Sequence, residues 1–179
     1  RISSHSAGYF SAMIATLCVS LFLVLMLTAA WTDLAGFRIP NWIPGALIAI
    51  WPVAAWAMGM GWSEAGYALL TFVIVLALAV GLWMPGFIGG GDAKLIAAVA
   101  LWFAWPGVLI FALWSVIAGG ALAVLLLALR RIAPALPLQP EWVARSPLAE
   151  GAPAPYAVAL AAGALIALPQ TTLIAAFGP

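Results

Sequence analysis

The chain has 179 residues, of which 67% are hydrophobic, with only 6 Lys/Arg and 5 Asp/Glu. A soluble domain needs far more charge, roughly a quarter of its residues, to cover its surface, so the bilayer is the solvent for most of this protein. A net charge of +1 gives no sign of a nucleic-acid partner, and Cys18 alone makes neither a disulfide nor a cysteine metal cluster.

The chain opens on a polar tail, residues 1–8, with the single histidine His5. The tail is assigned no function and one imidazole builds no metal site, so neither metal nor cofactor is expected. A bilayer core takes about 20 apolar residues per helix, and residues 9–31 meet this without a charge. That stretch is too long for the apolar part of a cleaved signal peptide, which runs to about 15 residues. Asp33 follows, then a short polar connection with Arg38 and Pro40. Asn41 suits an N-cap of the next helix, with Pro44 in its first turn, where a missing N–H costs little.

The second span is expected over 42–60. A tight Gly59-Met60-Gly61 connection follows, with Ser63 as a cap for a third span over 65–85. Residues 86–91 read as a glycine-rich loop. A shorter apolar piece, 93–105, ends at Trp105-Pro106-Gly107, a turn signal, and a fifth span follows over 108–129. Arg130 and Arg131 read as its stop signal. Residues 130–155, rich in proline, read as a loop rather than a domain, and 156–177 as the last span. The expectation is a single all-α, polytopic integral membrane domain of about six transmembrane helices.

Alternation of spans places Arg38, Lys94, Arg130, Arg131 and Arg145 on one side and only Arg1 on the other. Basic residues concentrate in the cytoplasm, so the N-terminus is expected outside. The only two aspartates, Asp33 and Asp92, are separated by two spans and so return to the same, cytoplasmic face.

Ionisable groups in membrane segments are costly and mark functional sites. Asp33 alone reads as a solvated charge past a helix end, but a carboxylate at a helix C-terminus is opposed by the dipole, and Arg38 is available to compensate it. Asp92 suits an N-cap, yet a cap needs no Gly89-Gly90-Gly91 before it. Glycine leaves no side chain between backbone and an approaching group, so these three can accept an extended peptide as an added strand. A phosphate cradle fits less well, because no Walker spacing follows the glycines. Lys94 can hold substrate or a lipid phosphate, or be a topogenic charge, and Arg38 has the same two readings. Two carboxylates held close share a proton and titrate as a unit. That suits an aspartic peptidase, in which one activates water and the other stabilises the oxyanion.

Asp33 with Arg38-Ile39-Pro40-Asn41 resembles the first aspartate motif of the type IV prepilin peptidases. Gly89-Gly90-Gly91-Asp92-Ala93-Lys94-Leu95 resembles their second, the GxGD element of membrane aspartic peptidases, and 155–163 resembles the start of their last helix. The resemblance implies catalytic roles for Asp33 and Asp92. It implies prepilin or pseudopilin precursors as substrates, cleaved at the cytoplasmic face of the bacterial inner membrane, beside pilus or secretion assembly machinery and membrane lipid. Larger members carry a cytoplasmic insertion with paired Cys-x-x-Cys motifs and also methylate the new N-terminus. This chain has neither, and so resembles the short, peptidase-only branch of tight-adherence (Flp-type) pilus systems. The competing readings are a proton-coupled transporter, a metal-dependent phosphotransferase on lipid phosphates, and a non-catalytic assembly subunit.

Overall fold

A computed structural model describes residues 2–135, 137 and 139–170. In chain order the helices are α1 (Ile2–Gly36), α2 (Trp42–Ala57), α3 (Trp62–Trp83), α4 (Gly90–Ile132), α5 (Pro140–Ala144) and α6 (Tyr156–Ala167). Short 3-10 turns follow α4 and α6, at Ala133–Ala135 and Leu168–Gln170. Among the described residues there is no strand. Three stretches are long and apolar enough to cross a membrane: Gly8–Gly36, Trp62–Trp83 and Gly90–Ala135. Trp42–Ala57 and Tyr156–Ala167 are shorter apolar helices. This is an all-α membrane protein.

Several bounds differ from the sequence expectation. The first helix extends past 9–31 at both ends, so Asp33 lies within its last turn and not beyond it. The third helix starts at Trp62 with Gly61 as N-cap, and Glu64, not Ser63, closes that end: its Oε2 accepts the Gly61 N–H at 2.9 Å. The stretch after 130 holds a short helix, α5, between turns. The end of the last expected span, 171–177, lies outside the described residues.

α4 is two limbs. Helical geometry fails at Ala104 (φ 49°, ψ −172°) and Trp105, and Pro106 opens the second limb behind a cis peptide bond. Proline suits a first helical position because its missing N–H has no intrahelical partner there. The chain turns back at this point. Phe103 and Phe111 stack with ring centroids 5.5 Å apart, whereas eight residues of straight helix would separate them by about 12 Å along the axis. The second limb then runs antiparallel to α6, with Gly163 against Ser115 and Gly119 against Ala159.

The first limb is the centre of the bundle. Leu95, Ala98, Val99, Leu101 and Trp102 on it are buried, together with Phe22 and Met26 of α1 and Leu47 of α2. Phe22 lies 5.0 Å from Trp102, ring centre to ring centre. Trp102 Nε1 donates to the Leu47 carbonyl at 3.0 Å, which satisfies the one polar atom of the largest core side chain. Outward faces are apolar as well: Leu17, Leu21 and Val24 of α1, Val73 and Leu78 of α3, and Val116 and Val124 of α4 are all exposed. Such a surface belongs in hydrocarbon.

Candidate active site

The C-terminal end of α1 and the N-terminal ends of α2, α4 and α6 meet at one end of the bundle. Long-range contacts fix this convergence. The Ala157 N–H, in the first turn of α6, donates to Asp33 Oδ2 at 2.9 Å. Lys94 Nζ, in the first turns of α4, donates to Asn41 Oδ1 at 2.9 Å, beside the start of α2. Asp33 and Asp92 are near enough for the charge of one to act on the other.

Asp33 is 7% exposed. Its position near the C-terminus of α1 is unfavourable for a carboxylate, but its side chain reaches the N-terminus of α6, where the dipole and unpaired N–H groups favour an anion. The N-cap of α6 is Pro155, which makes no side-chain cap bond. Asp33 therefore caps α6 from another helix. The compensating partner is thus the α6 backbone and not Arg38, which is exposed on the α1–α2 connection.

That connection begins with a sharp turn. Phe37 takes φ 52°, and its N–H closes onto the Asp33 carbonyl at 2.8 Å. A bulky residue in the left-handed region costs on the order of 1 kcal/mol or more and persists only when its surroundings hold it. The turn brings Ile39 back over the start of α4. Ile39 comes to rest on Gly91, where an added Cβ would lie 3.1 Å from the Ile39 Cβ.

Asp92 is not the N-cap of α4. Gly89 holds that place in extended geometry (φ −68°, ψ 145°), and Asp92 is the third helical residue. An acid there is favoured by the dipole, and Asp92 Oδ2 folds back against the Gly89 backbone: a Cβ on Gly89 would be 2.7 Å from it. The other oxygen, Oδ1, is buried and has no hydrogen-bond partner among the described residues. A buried acceptor without a protein partner is costly.

The three glycines have different work from that expected. α4 starts at Gly90, so Gly90 and Gly91 are helical and offer no extended edge for an added strand. None of the three has positive φ. Each is glycine because another group packs where its side chain would be. Asp92 Oδ2 does so at Gly89, the Trp83 indole at Gly90 (Nε1 3.1 Å from an added Cβ) and Ile39 at Gly91. The run is a close-packed collar at the start of α4, with the Asp92 carboxyl, the last residue of α3 and Ile39 against its three glycines in turn.

Asn41 occupies the N-cap position of α2 but makes no side-chain cap bond; its amide oxygen is taken by Lys94. Lys94 is exposed and ties α4 to α2 within two residues of Asp92. Sequence reading missed Ala157, Trp83 and the Asn41–Lys94 bond. Only Ala157 left a local trace, a helix start preceded by proline with no Ser, Thr, Asp or Asn to cap it.

The arrangement is a carboxyl pair at the convergence of helix ends. One member is anchored by a backbone N–H and the other has a free, buried oxygen. Carboxyls so placed can take a proton from a bound group and return it. Among the described residues no group of three His, Cys, Asp or Glu could hold a metal ion.

The family model described as the type IV leader peptidase family matches residues 20–124, more than half of the chain. The matched stretch contains both aspartates, the Ile39-Pro40-Asn41 string and the glycine collar. Searches of curated proteins and of solved structures returned no match. With the match carrying both motifs and the fold bringing them to one end of an apolar helical bundle, the chain belongs to the type IV leader peptidase family.

Proposed function

We propose that the protein is an aspartic-type endopeptidase that removes the leader from type IV or Flp-type prepilins or pseudopilins. The observation that carries this reading is the convergence of Asp33 and Asp92 at one end of the bundle, one anchored by a backbone N–H and one with a buried oxygen that has no partner among the described residues. One carboxylate takes a proton from water as the water oxygen attacks the scissile carbonyl. The other, as the acid, hydrogen-bonds the developing oxyanion. The tetrahedral species then collapses, the C–N bond breaks, and a proton passes to the leaving amine. Lys94 and Asn41 hold the start of α4, and with it Asp92, against α2.

The site faces the cytoplasm of the inner membrane in this reading, supported by the five Lys/Arg that share its side. The substrate is a single-span precursor. Its apolar segment has a place in a groove of about 980 Å3 between α3 and α4, lined by Leu70, Ile74, Leu78, Ile96 and Val108. Ile96 stands one helical turn beyond Asp92, so a segment lying there delivers its cytoplasmic end to the carboxyl pair. In this reading the protein is a peptidase without methyltransferase activity; no Cys-x-x-Cys pair stands in these 179 residues.

The test is co-expression with a prepilin precursor, read as a gel shift, followed by the purified proteins in detergent. Asp33→Asn and Asp92→Asn are each expected to abolish cleavage with the fold intact, since an amide oxygen still accepts the Ala157 N–H. EDTA is expected to leave the wild type active. Full cleavage by either purified variant would refute the aspartate mechanism, and loss of activity on chelation would move the chemistry to a metal.

A further inference from the structure

We propose that Arg130 is a positioning residue for Asp33, acting through the segment 147–155 and the start of α6. Arg130 and its neighbour Arg131 are indistinguishable in sequence as a basic stop to a span. The structure separates them. Arg131 is exposed, whereas Arg130 is half-buried. The Arg130 Nε donates to the Pro147 carbonyl at 2.9 Å, and its Nη2 donates to the Ala152 carbonyl at 2.7 Å. The guanidinium makes these two bonds from two nitrogens fixed in one plane, a geometry that the single nitrogen of an ammonium on a flexible stem does not reproduce. The other hydrogen bonds shown within 143–152 are local, joining residues two to four apart. Among the hydrogen bonds of the described residues, those of Arg130 fasten this segment to the end of α4.

The tie is transmitted. From Ala152 the chain runs through Pro153, Ala154 and Pro155, and two prolines in three residues restrict the backbone to extended forms. Pro155 is buried and serves as N-cap of α6. Two residues later the Ala157 N–H holds Asp33 Oδ2. α6 itself packs on the same α4 limb at Gly119–Ala159 and, higher up, at Gly163–Ser115. Arg130 adds an attachment ahead of α6, on the side of the carboxylate. It touches neither substrate nor Asp33; it sets where the N–H that aims Asp33 stands. Small misplacements of a reacting group are costly in rate, so the effect falls on turnover and not on substrate capture.

The inference rests on the catalytic reading of Asp33, and the experiment keeps the two apart. Full-length Arg130→Ala, Arg130→Lys, Arg131→Ala and Asp33→Asn proteins are compared in detergent. Cleavage of a full-length prepilin precursor with its membrane segment gives kcat and KM. Hydrogen exchange of a peptide covering 152–160 reports the start of α6. Arg130→Ala and Arg130→Lys are expected to lower kcat about tenfold with KM within about twofold, and to speed exchange in 152–160. Arg131→Ala is expected to match the wild type in both. Arg130→Lys keeps the charge and most of the stem, so it decides the matter if Arg130→Ala does not fold. Wild-type kcat and exchange in Arg130→Lys would overturn the proposal, as would an equal fall in Arg131→Ala. If Asp33→Asn still cleaves, the catalytic reading fails, and the exchange of 152–160 in Arg130→Lys alone decides the tether.

Discussion

Gly163→Ala on α6 puts the close crossing of α6 and α4 to a quantitative test. An added Cβ would lie 2.6 Å from the backbone N of Ser115 and 2.8 Å from its Cα. Non-bonded carbon atoms rest about 3.5–4.0 Å apart. The obstacle is backbone and cannot rotate away, so the helices must part by about 1 Å. Overpacking of this kind costs about 1–3 kcal/mol, and a gap along the rest of the crossing adds to it. Against this, alanine is the better helix former by about 1 kcal/mol. Steric cost wins, with a net destabilisation of about 1–2 kcal/mol. Gly66→Ala on α3 is the control, because nothing lies within 4 Å of an added Cβ there. It keeps the propensity gain and is expected to be neutral or stabilising by up to about 1 kcal/mol. Thermal unfolding in one detergent should therefore rank Gly66→Ala at or above the wild type and Gly163→Ala several degrees below it, with roughly 2–4 °C per kcal/mol for a chain of this size. Ser115→Gly added to Gly163→Ala should not restore stability, because the collision is with the Ser115 backbone. A Gly163→Ala protein as stable as the wild type would refute the close crossing and, with it, the upper attachment of α6.

Two further outcomes follow from the site. Gly91→Val should cost about 1–3 kcal/mol by overpacking against Ile39 and should lower cleavage, since Ile39 stands beside the turn that carries Asp92; wild-type stability and rate in that variant would remove the collar. Asn41→Ala and Lys94→Ala should each cost less than about 1 kcal/mol, since the pair is exposed, and a double-mutant cycle on kcat should show them non-additive; strict additivity would mean that the bond does not act as a unit.

The two motifs were legible in the sequence because each is local. An acid next to an apolar segment, a glycine run and an Ile-Pro-Asn string are visible without coordinates. Their meeting needed only the parity of the two intervening spans. The turn at Trp105-Pro106 was equally legible, since Trp-Pro-Gly is a local turn signal. The work of the glycines was not. Reading them as a peptide edge assumed an extended loop, but the helix starts at Gly90, and what forbids a side chain is the approach of Trp83 and Ile39. Asn41 was legible as a residue near a helix start and not as the partner of Lys94, because capping preference describes a position and not what approaches it.

By itself the sequence determined the solvent, the helical class and that both acids lie at one end of the bundle. Those follow from composition, span length and alternation, which depend on near neighbours. Tertiary structure alone decided that Asp33 is held by the Ala157 N–H from 124 residues away, that Asp92 Oδ1 is buried with no partner among the described residues, and that Arg130 donates to the Pro147 and Ala152 carbonyls. The physical reason is common to all three. A buried polar atom must find its partner wherever packing brings one, and in a bundle of apolar helices that partner is set by how the helix ends converge, which no local pattern of residues records.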